Sequence, residues 1–352
     1  MANDQAAKIR ALLRSGELVE IGGRSKTPTR AAVQSRSRRP STTSLIAAFA
    51  AIYLIWGSTY LGIRYAIETI PPLLMMGIRH LTAGTLLYAW ARWRGTPAPR
   101  LREWIYPAII GPLLFLGGHG SLAWAEQRVP SGIAALLVAT LPMWIVVLAR
   151  VSGTERHLTR PSLAGLVLGF LGVLVLFGPD ALRHNGDLNL IGAVAVLFGT
   201  FIWAAGTIYM RNVNMPASPL LSSSMQMLTG GASLILTATL VGESHNFNFA
   251  TVSGTSWFAL AYLILFGSII AFTAYTWLHM VAPPSRVATY AYVNPVVAVL
   301  LGWAFASEPI NRYTWIAMIG ILAGVALVNV GSADKNAHSE QSQSEQEEEV
   351  AA

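Results

Sequence analysis

The chain has 352 residues, of which 53% are hydrophobic and only 12% charged, and it contains no cysteine. A soluble domain carries roughly 25% charged residues, so this composition indicates a surface that mostly faces lipid, and the missing thiols exclude disulfide bridges, thiolate metal sites and cysteine nucleophiles. The net charge of +7 lies mainly in a terminal segment and short loops, which is typical of membrane topology and argues against nucleic-acid binding.

The N-terminal segment, residues 1–42, is polar and basic and has no short apolar core near its start, unlike a secretory signal. We predict a largely disordered cytoplasmic tail there, with one short helix around Ala6–Leu18. Residues 332–352 are rich in Gln, Ser and Glu, and they predict a second disordered cytoplasmic tail.

Between the tails, apolar segments recur and predict an all-α integral membrane protein with ten transmembrane helices. Residues 161–179 and 188–210 contain no Asp, Glu, Lys or Arg, and they approach or exceed the roughly 20 residues that cross a bilayer. The predicted spans are 43–66, 71–91, 104–126, 131–150, 160–178, 188–210, 218–242, 255–279, 285–306 and 313–331.

Positive charge is distributed unevenly between the two sides of these spans. With the N-terminus inside, nineteen basic residues lie on the inner side and four on the outer side, namely Arg64, Arg128, Arg183 and Arg312. This bias predicts a multi-pass protein of the inner (plasma) membrane with both termini in the cytoplasm.

The chain contains an internal repeat. Residues 55–84 and 202–231 align without a gap and share nine identities. The spacings of Pro130, Pro142 and Glu155 recur in Pro283, Pro295 and Glu308. We therefore predict two five-helix halves, residues 43–178 and 188–331, of inverted topology because five is odd, with a site near the midplane.

Several blocks resemble EamA-type members of the drug/metabolite transporter superfamily, most closely the YedA-like inner-membrane subgroup. They are WGSTY at 56–60, PPLLMMGIRHLTAG at 71–84, AEQRVPSGIAALLVATLP at 125–142, FGSIIAF at 266–272 and AYVNPVVAVLLG at 291–302. The resemblance implies a central cavity lined by the first four helices of each half, with the fifth helices peripheral. It also implies export of metabolites, amino acids or drugs, while the long basic tail departs from the family pattern.

Arg79 and Glu126 are the candidate ion-pair or coupling residues. Arg79 lies about nine residues into the second span, where a charge costs on the order of 2.5–3.5 kcal/mol and requires a partner. Glu126 could pair with it and fix the second and third spans together. Alternatively, Arg79 recognises an anionic substrate group, or Glu126 carries a coupling proton.

The candidate substrate-binding residues combine one arginine, two histidines, six Trp and Tyr rings that carry a polar edge, and one asparagine. The full set is Trp56, Tyr60, Arg79, His80, His119, Trp124, Trp203, Tyr275, Tyr292 and Asn294. Such rings suit amphipathic or cationic solutes. The alternative is that the rings pack helices or anchor them at the interface, and that the histidines are hydrogen-bonded packing residues.

Two further features concern helix mechanics. Pro142 and Pro295 interrupt backbone bonding near mid-span and predict hinges or tolerated kinks. The GxxxG pairs Gly165/Gly169 and Gly320/Gly324 predict close helix packing and offer a contact for a homodimer.

A secondary transporter of a small-molecule substrate is the favoured function. No GxxxxGK[ST] phosphate loop is present, so transport is either coupled to an ion gradient or is facilitated diffusion down the substrate's own gradient. The alternatives are a receptor or scaffold that does not transport, and a membrane-embedded enzyme, but no catalytic cluster, metal site or cofactor motif is recognisable. The residues leave open the substrate, the direction and the coupling ion.

Overall fold

The structure is a computed structural model that describes residues 41–153, 159–176, 189–216, 218–245, 247–282, 284–287 and 289–330. Within these residues the regular structure is helical and no strand is formed. The predicted tails, apart from residues 41–42, lie outside the described residues, and so do Glu155 and Pro283 of the repeated spacing.

We number the ten helices of 17 or more residues in the described part of the chain α1 to α10, and leave the short helix Pro284–Val287 and the 3-10 turn Phe249–Thr251 unnumbered. They are α1 Thr42–Ala66, α2 Pro72–Trp93, α3 Leu101–Ala125, α4 Ser131–Val151, α5 Arg160–Leu176, α6 Leu190–Arg211, α7 Pro219–Leu240, α8 Gly254–Val281, α9 Tyr290–Ala306 and α10 Arg312–Val330. Among them α1, α3, α4, α6, α8 and α10 are long and apolar enough to cross a membrane. The helices α5 and α9 are apolar but shorter, whereas α2 and α7 have 22 residues each and are more polar.

Helix starts follow local capping chemistry. Pro72 and Pro219 occupy the first turns of α2 and α7, where a backbone N–H has no partner within the helix and proline can therefore do without one. The side chains of Asn189, Ser218 and Ser253 accept hydrogen bonds from backbone amides of α6, α7 and α8. These polar residues therefore fix where each apolar segment becomes helical.

Helix contacts follow a symmetric pattern. The largest interface joins α2 to α7, and α4 also contacts α9. The helix α1 packs against α8 and α9, and correspondingly α6 packs against α3 and α4. In the same way α2 contacts α8, and α7 contacts α3. Exchanging α1–α5 with α6–α10 maps this set of contacts onto itself.

The GxxxG faces of α5 and α10 pack against each other within the chain. A Cβ added to Gly165 would lie 2.5 Å from the Gly324 carbonyl oxygen, and one added to Gly324 would lie 2.6 Å from the Gly169 amide nitrogen. The predicted homodimer through these glycines does not fit this packing, because each face is covered by the other. The outward face of α5 instead exposes apolar side chains such as Leu163 and Leu174, as expected for contact with lipid.

Three helices contain π-helical segments, namely Ala51–Ile55 in α1, Pro112–Gly120 in α3 and Leu263–Ile270 in α8. A π-helical turn widens the helix and leaves carbonyl groups for other donors, and such turns are frequent at functional sites. The segments in α3 and α8 occupy the third helix of each predicted half, and both lie next to α2.

The two predicted hinge prolines have different surroundings. In α4 the helix breaks at Ala139–Thr140 and restarts at Leu141, so that Pro142 lies in a first turn. In α9 the helix continues through Pro295 without a break. The helix is therefore interrupted just before Pro142 and continuous at Pro295.

Candidate functional site

Arg79 and His80 are consecutive residues of α2 and contact two different helices. Successive helical residues lie about 100° apart around the axis, so Arg79 meets α8 while His80 meets α3. The Nε of Arg79 donates a 2.9 Å hydrogen bond to the Ser268 hydroxyl oxygen. Arg79 is 5% exposed and His80 is 1% exposed. Together they form a buried polar layer in the middle of α2.

The histidines His80 and His119 form a pair. The Nε2 of His80 lies 2.9 Å from the Nδ1 of His119, and the rings are stacked with their centroids 5.0 Å apart. The Trp203 ring of α6 meets His119 edge-on at 4.5 Å. The Nδ1 of His80 has no hydrogen-bond partner among the described residues. The pair therefore keeps one buried nitrogen that another polar group can engage.

Both partners of α2 lie in π-helical segments. Ser268 belongs to the segment of α8 and His119 to the segment of α3. Trp56 of α1 donates from Nε1 to the carbonyl oxygen of Gly267, the neighbour of Ser268, at 3.0 Å. Trp56 and Trp203, which are equivalent in the repeat, thus flank Arg79–Ser268 and His80–His119 respectively.

Trp56 also belongs to an aromatic cluster. Its ring lies 5.0 Å from that of Tyr275 and 5.2 Å from that of Tyr290. Tyr275 and Tyr290 are 5.8 Å apart, and His279 contacts Tyr275. The predicted residues Trp56 and Tyr275 are therefore brought together beside the α2 layer, while Tyr60 packs against the apolar core.

The structure directs three predicted site residues elsewhere. The Tyr292 hydroxyl contacts α10, where it accepts a hydrogen bond from the Asn329 side-chain amide and donates to the Val325 carbonyl. The side-chain amide of Asn294 faces the carbonyl oxygens of Ile52 and Tyr53 in the π-helical segment of α1, at 3.1 and 3.2 Å, and we assign its nitrogen to that side because only the nitrogen can donate to them.

The third residue is Trp124, near the end of α3. The Arg128 guanidinium lies over the Trp124 ring at 3.8 Å, which is a cation–π contact at an exposed position. These three residues hold helices and a loop in place and do not join the α2 layer.

The predicted ion pair between Arg79 and Glu126 is not formed in this conformation. Glu126 is 0% exposed, and neither oxygen of its carboxyl group has a hydrogen-bond partner among the described residues. Arg64 donates to the backbone carbonyl oxygen of Glu126 at 2.9 Å. Arg79 finds Ser268 instead, since a hydroxyl of α8 lies within reach of its Nε.

Glu308 joins the two predicted halves at one end of the bundle. Its carboxylate accepts hydrogen bonds from the amides of Ser131, at 2.6 Å, and Gly132, at 3.0 Å, in the first turn of α4. Ser307 adopts a left-handed conformation with φ 53°, and the Glu308 amide bonds back to the Gly302 carbonyl, which turns Glu308 toward α4. A carboxylate at a helix N-terminus is favoured by the unpaired amides and the helix dipole.

We call this region the Glu308 end, where α1, α3, α7 and α9 finish and α2, α4, α8 and α10 begin. Further bonds join the halves there: Tyr65 OH donates to the Phe305 carbonyl at 2.6 Å. The Leu74 amide donates to Glu243 at 3.0 Å. Burial raises the pKa of Glu243, although the amides of Leu74 and Leu73 oppose this shift. In the described conformation the halves are therefore tied together at this end.

The sequence did not point to Ser268 or to the contact between Glu308 and α4. Ser268 lies in the block FGSIIAF that resembles the family, but a single serine in an apolar helix is typical of many packing residues, so the sequence gives it no distinct role. The spacing of Glu308 follows the repeat, but the sequence indicates neither the left-handed conformation of Ser307 nor the helix that the Glu308 carboxylate contacts.

Comparison with known proteins gives a consistent result. The model of the EamA-like transporter family matches residues 43–178 and, a second time, residues 190–330. The chain belongs to the EamA-like transporter family. It is a membrane transporter, and its 39% identity to the Escherichia coli transporter YedA places it in the YedA-like subgroup. Because the members of this family are transporters, membership argues against an enzymatic function.

Among relatives, an Escherichia coli K12 protein named as the uncharacterized inner membrane transporter YedA is 39% identical over 290 residues, which are 82% of this chain and 91% of that protein. The uncharacterized transporter YvbV of Bacillus subtilis is 26% identical over 296 residues, covering 82% and 92% of the two chains. A crystal structure of a protein that is 21% identical superimposes with a TM-score of 0.56, over 83% of this chain and 98% of that chain. At that identity the superposition supports the fold alone.

Proposed function

We propose that this EamA-family protein is a secondary transporter that exports small metabolites, amino acids or amphipathic drugs across the cytoplasmic membrane by alternating access. The observation that carries the proposal is the buried layer of α2. Arg79 and His80 lie deep inside a helix in contact with α8 of one half and α3 of the other. Buried polar and charged groups inside spanning helices are costly and mark pathways for solutes.

An inverted repeat of two five-helix units is part of the proposal. It is supported by the double match of the family model, to residues 43–178 and 190–330. It is also supported by the contacts of α2 with α7, α4 with α9, α1 with α8 and α9, and α6 with α3 and α4, which correspond to one another when the halves are exchanged. Two similar units in opposite orientation permit one to rock against the other around a fixed site.

We place the protein in the inner membrane with both termini in the cytoplasm. The printed name of YedA and the positive-inside bias support this placement. The Glu308 end then faces outward, and in the described conformation it is closed by bonds between the halves. Substrate would reach the α2 layer from the cytoplasmic side and leave once these bonds open.

The chemistry of the layer favours amphipathic solutes that carry an anionic group. Arg79 uses its Nε for Ser268, which leaves guanidinium N–H groups for a carboxylate in the bidentate geometry that arginine prefers. Trp56 and Trp203 provide apolar ring surface on either side. Amino acids with large apolar side chains combine both features.

The experiment that tests this function uses proteoliposomes loaded with labelled amino acids, or with the amphipathic cation tetraphenylphosphonium. We expect efflux of at least one probe above that of protein-free liposomes, and at least a tenfold loss with Arg79→Ala. Arg312→Ala, which removes an exposed arginine at the Glu308 end, should leave efflux unchanged. Equal efflux from all liposomes across the panel would contradict the transporter proposal, and full activity of Arg79→Ala would contradict the role of the α2 layer.

A further inference from the structure

Glu126, the first residue after α3, is buried without a hydrogen-bond partner. It is 0% exposed, and both of its carboxyl oxygens lack a partner among the described residues. The hydroxyl of Ser131, also 0% exposed, is another buried polar group without a partner in this region. Two unsatisfied polar side chains five residues apart are unusual in a packed fold, where buried polar groups are nearly always bonded.

Within the described residues, none of the charged groups around Glu126 donates a hydrogen bond to its carboxyl oxygens. Arg64 of α1 donates to the backbone carbonyl of Glu126 and Arg79 of α2 donates to Ser268. The carboxylate of Glu308, which follows α9, is bonded to the first turn of α4. The two arginines favour a negative charge on Glu126 and Glu308 opposes it, while Tyr60 of α1 is the remaining titratable neighbour.

A carboxylate that is buried without a direct partner is strongly disfavoured, because it has lost water and gained no hydrogen bond. Adding one proton removes the charge, which is the largest part of this cost, without moving any helix. A salt bridge would be the other solution, but the guanidinium of Arg64 is directed at the backbone and not at the carboxyl group.

We propose that Glu126 is a proton-binding site that is occupied when the Glu308 end is closed and empties when that end opens. Only residues 127–130 separate Glu126 from Ser131, whose amide is bonded to Glu308. Opening that bond releases the start of α4 and lets water reach Glu126, which then loses its proton to the water on that side.

This inference deepens the proposed function, since it rests on alternating access, and it names the proton as the ion that controls closure. By linkage, whatever protonates Glu126 also stabilises the closed end. A more acidic solution at the Glu308 end therefore favours closure, and a more alkaline one favours opening.

The absence of cysteine from the sequence makes closure measurable. Ala134 is 0% exposed in the first turns of α4, whereas Gln127 is exposed in the preceding loop. We would label Ala134→Cys in purified protein with a maleimide and divide each rate by that of Gln127→Cys at the same pH. The ratio removes the pH dependence of the thiol itself.

We expect the ratio of the Ala134→Cys labelling rate to the Gln127→Cys rate to rise with pH. If one proton controls opening, the rise is up to about tenfold per pH unit. In a Glu126→Gln background the ratio should stay low at every pH, because the amide imitates the protonated acid. Glu68→Gln, which changes an exposed glutamate at the same end, should behave as the native background. A ratio that does not depend on pH, or that still rises in Glu126→Gln, overturns the proposal.

Infrared spectroscopy provides a second readout that needs no substrate. At neutral pH we expect the carbonyl stretch of a protonated carboxyl group, absent in Glu126→Gln and retained in Glu68→Gln. If Glu126→Gln does not fold, Glu126→Asp is used in its place. A shift in the pH at which labelling of Ala134→Cys is half-maximal supports the site, and an unchanged half-maximal pH overturns it. Failure of the efflux assay would count against the transporter proposal and leave these results standing.

Discussion

Gly84 of α2 and Gly231 of α7, which occupy equivalent positions in the sequence repeat, each lie against the backbone of the other's helix. A Cβ on Gly84 would lie 3.0 Å from the Leu228 amide nitrogen, and one on Gly231 would lie 2.7 Å from the Leu81 amide nitrogen. Leu81 and Leu228 are themselves equivalent in the repeat. The contact is therefore reciprocal, as it is in a two-fold symmetric interface.

This close approach predicts that Gly231→Ala destabilises the protein. The added methyl group would meet a backbone atom of α2 that cannot rotate away, so the helices must separate, at a cost of about 1–3 kcal/mol. We expect a lower midpoint of thermal unfolding in detergent. Gly254→Ala is the matched control, because a Cβ there meets no atom within 4 Å; an equal effect of both substitutions would count against the interface.

Ser268→Ala tests the hydrogen bond that holds Arg79. Without the hydroxyl, the buried Nε of Arg79 loses its acceptor, and an unsatisfied buried donor costs about 1–3 kcal/mol. We expect a lower unfolding midpoint together with weaker transport of carboxylate substrates. The control Ser233→Ala removes a hydroxyl that bonds only to Gly230 of its own helix, and its effect should be clearly smaller. If the two variants are alike, Ser268 does not position Arg79.

The positions of helices could be predicted from the sequence because the proline, glycine and capping residues that start and end a helix act locally. The predicted span 218–242 corresponds to α7, Pro219–Leu240, with Ser218 as its cap and Gly242 after its end. Likewise 71–91 corresponds to α2, Pro72–Trp93. Each of these signals acts within a few residues of the helix end.

The partners of the site residues could not be predicted in the same way. Depth in the membrane suggested Glu126 as the partner of Arg79, but depth does not fix how a helix is rotated. The contact with Ser268 also depends on the π-helical segment of α8, which changes the register of that helix. Because the rotation of α9 about its axis is also not fixed by the sequence, the contact of the Tyr292 hydroxyl with α10 could not be predicted.

Glu308→Ala should loosen the Glu308 end. The substitution removes the acceptor for the amides of Ser131 and Gly132, and loss of a comparable helix cap costs about 0.5–2 kcal/mol. We expect faster maleimide labelling of Ala134→Cys at every pH. Glu68→Ala, at an exposed position of the same end, should not change the rate. Unaltered labelling in Glu308→Ala would mean that other bonds, such as Tyr65 to Phe305, keep this end closed.

The proposed orientation predicts which single cysteines can be labelled from outside intact cells. Gln127, in the exposed loop between α3 and α4, lies at the Glu308 end, whereas Ala98, in the exposed loop between α2 and α3, lies at the opposite end. A membrane-impermeant maleimide should therefore label Gln127→Cys in intact cells and Ala98→Cys only after the membrane is opened, since the basic residues around Ala98 favour the cytoplasm. No background arises from the chain itself, because it contains no cysteine. The reverse pattern would place the closed Glu308 end in the cytoplasm, and the conformation described here would then be open toward the outside.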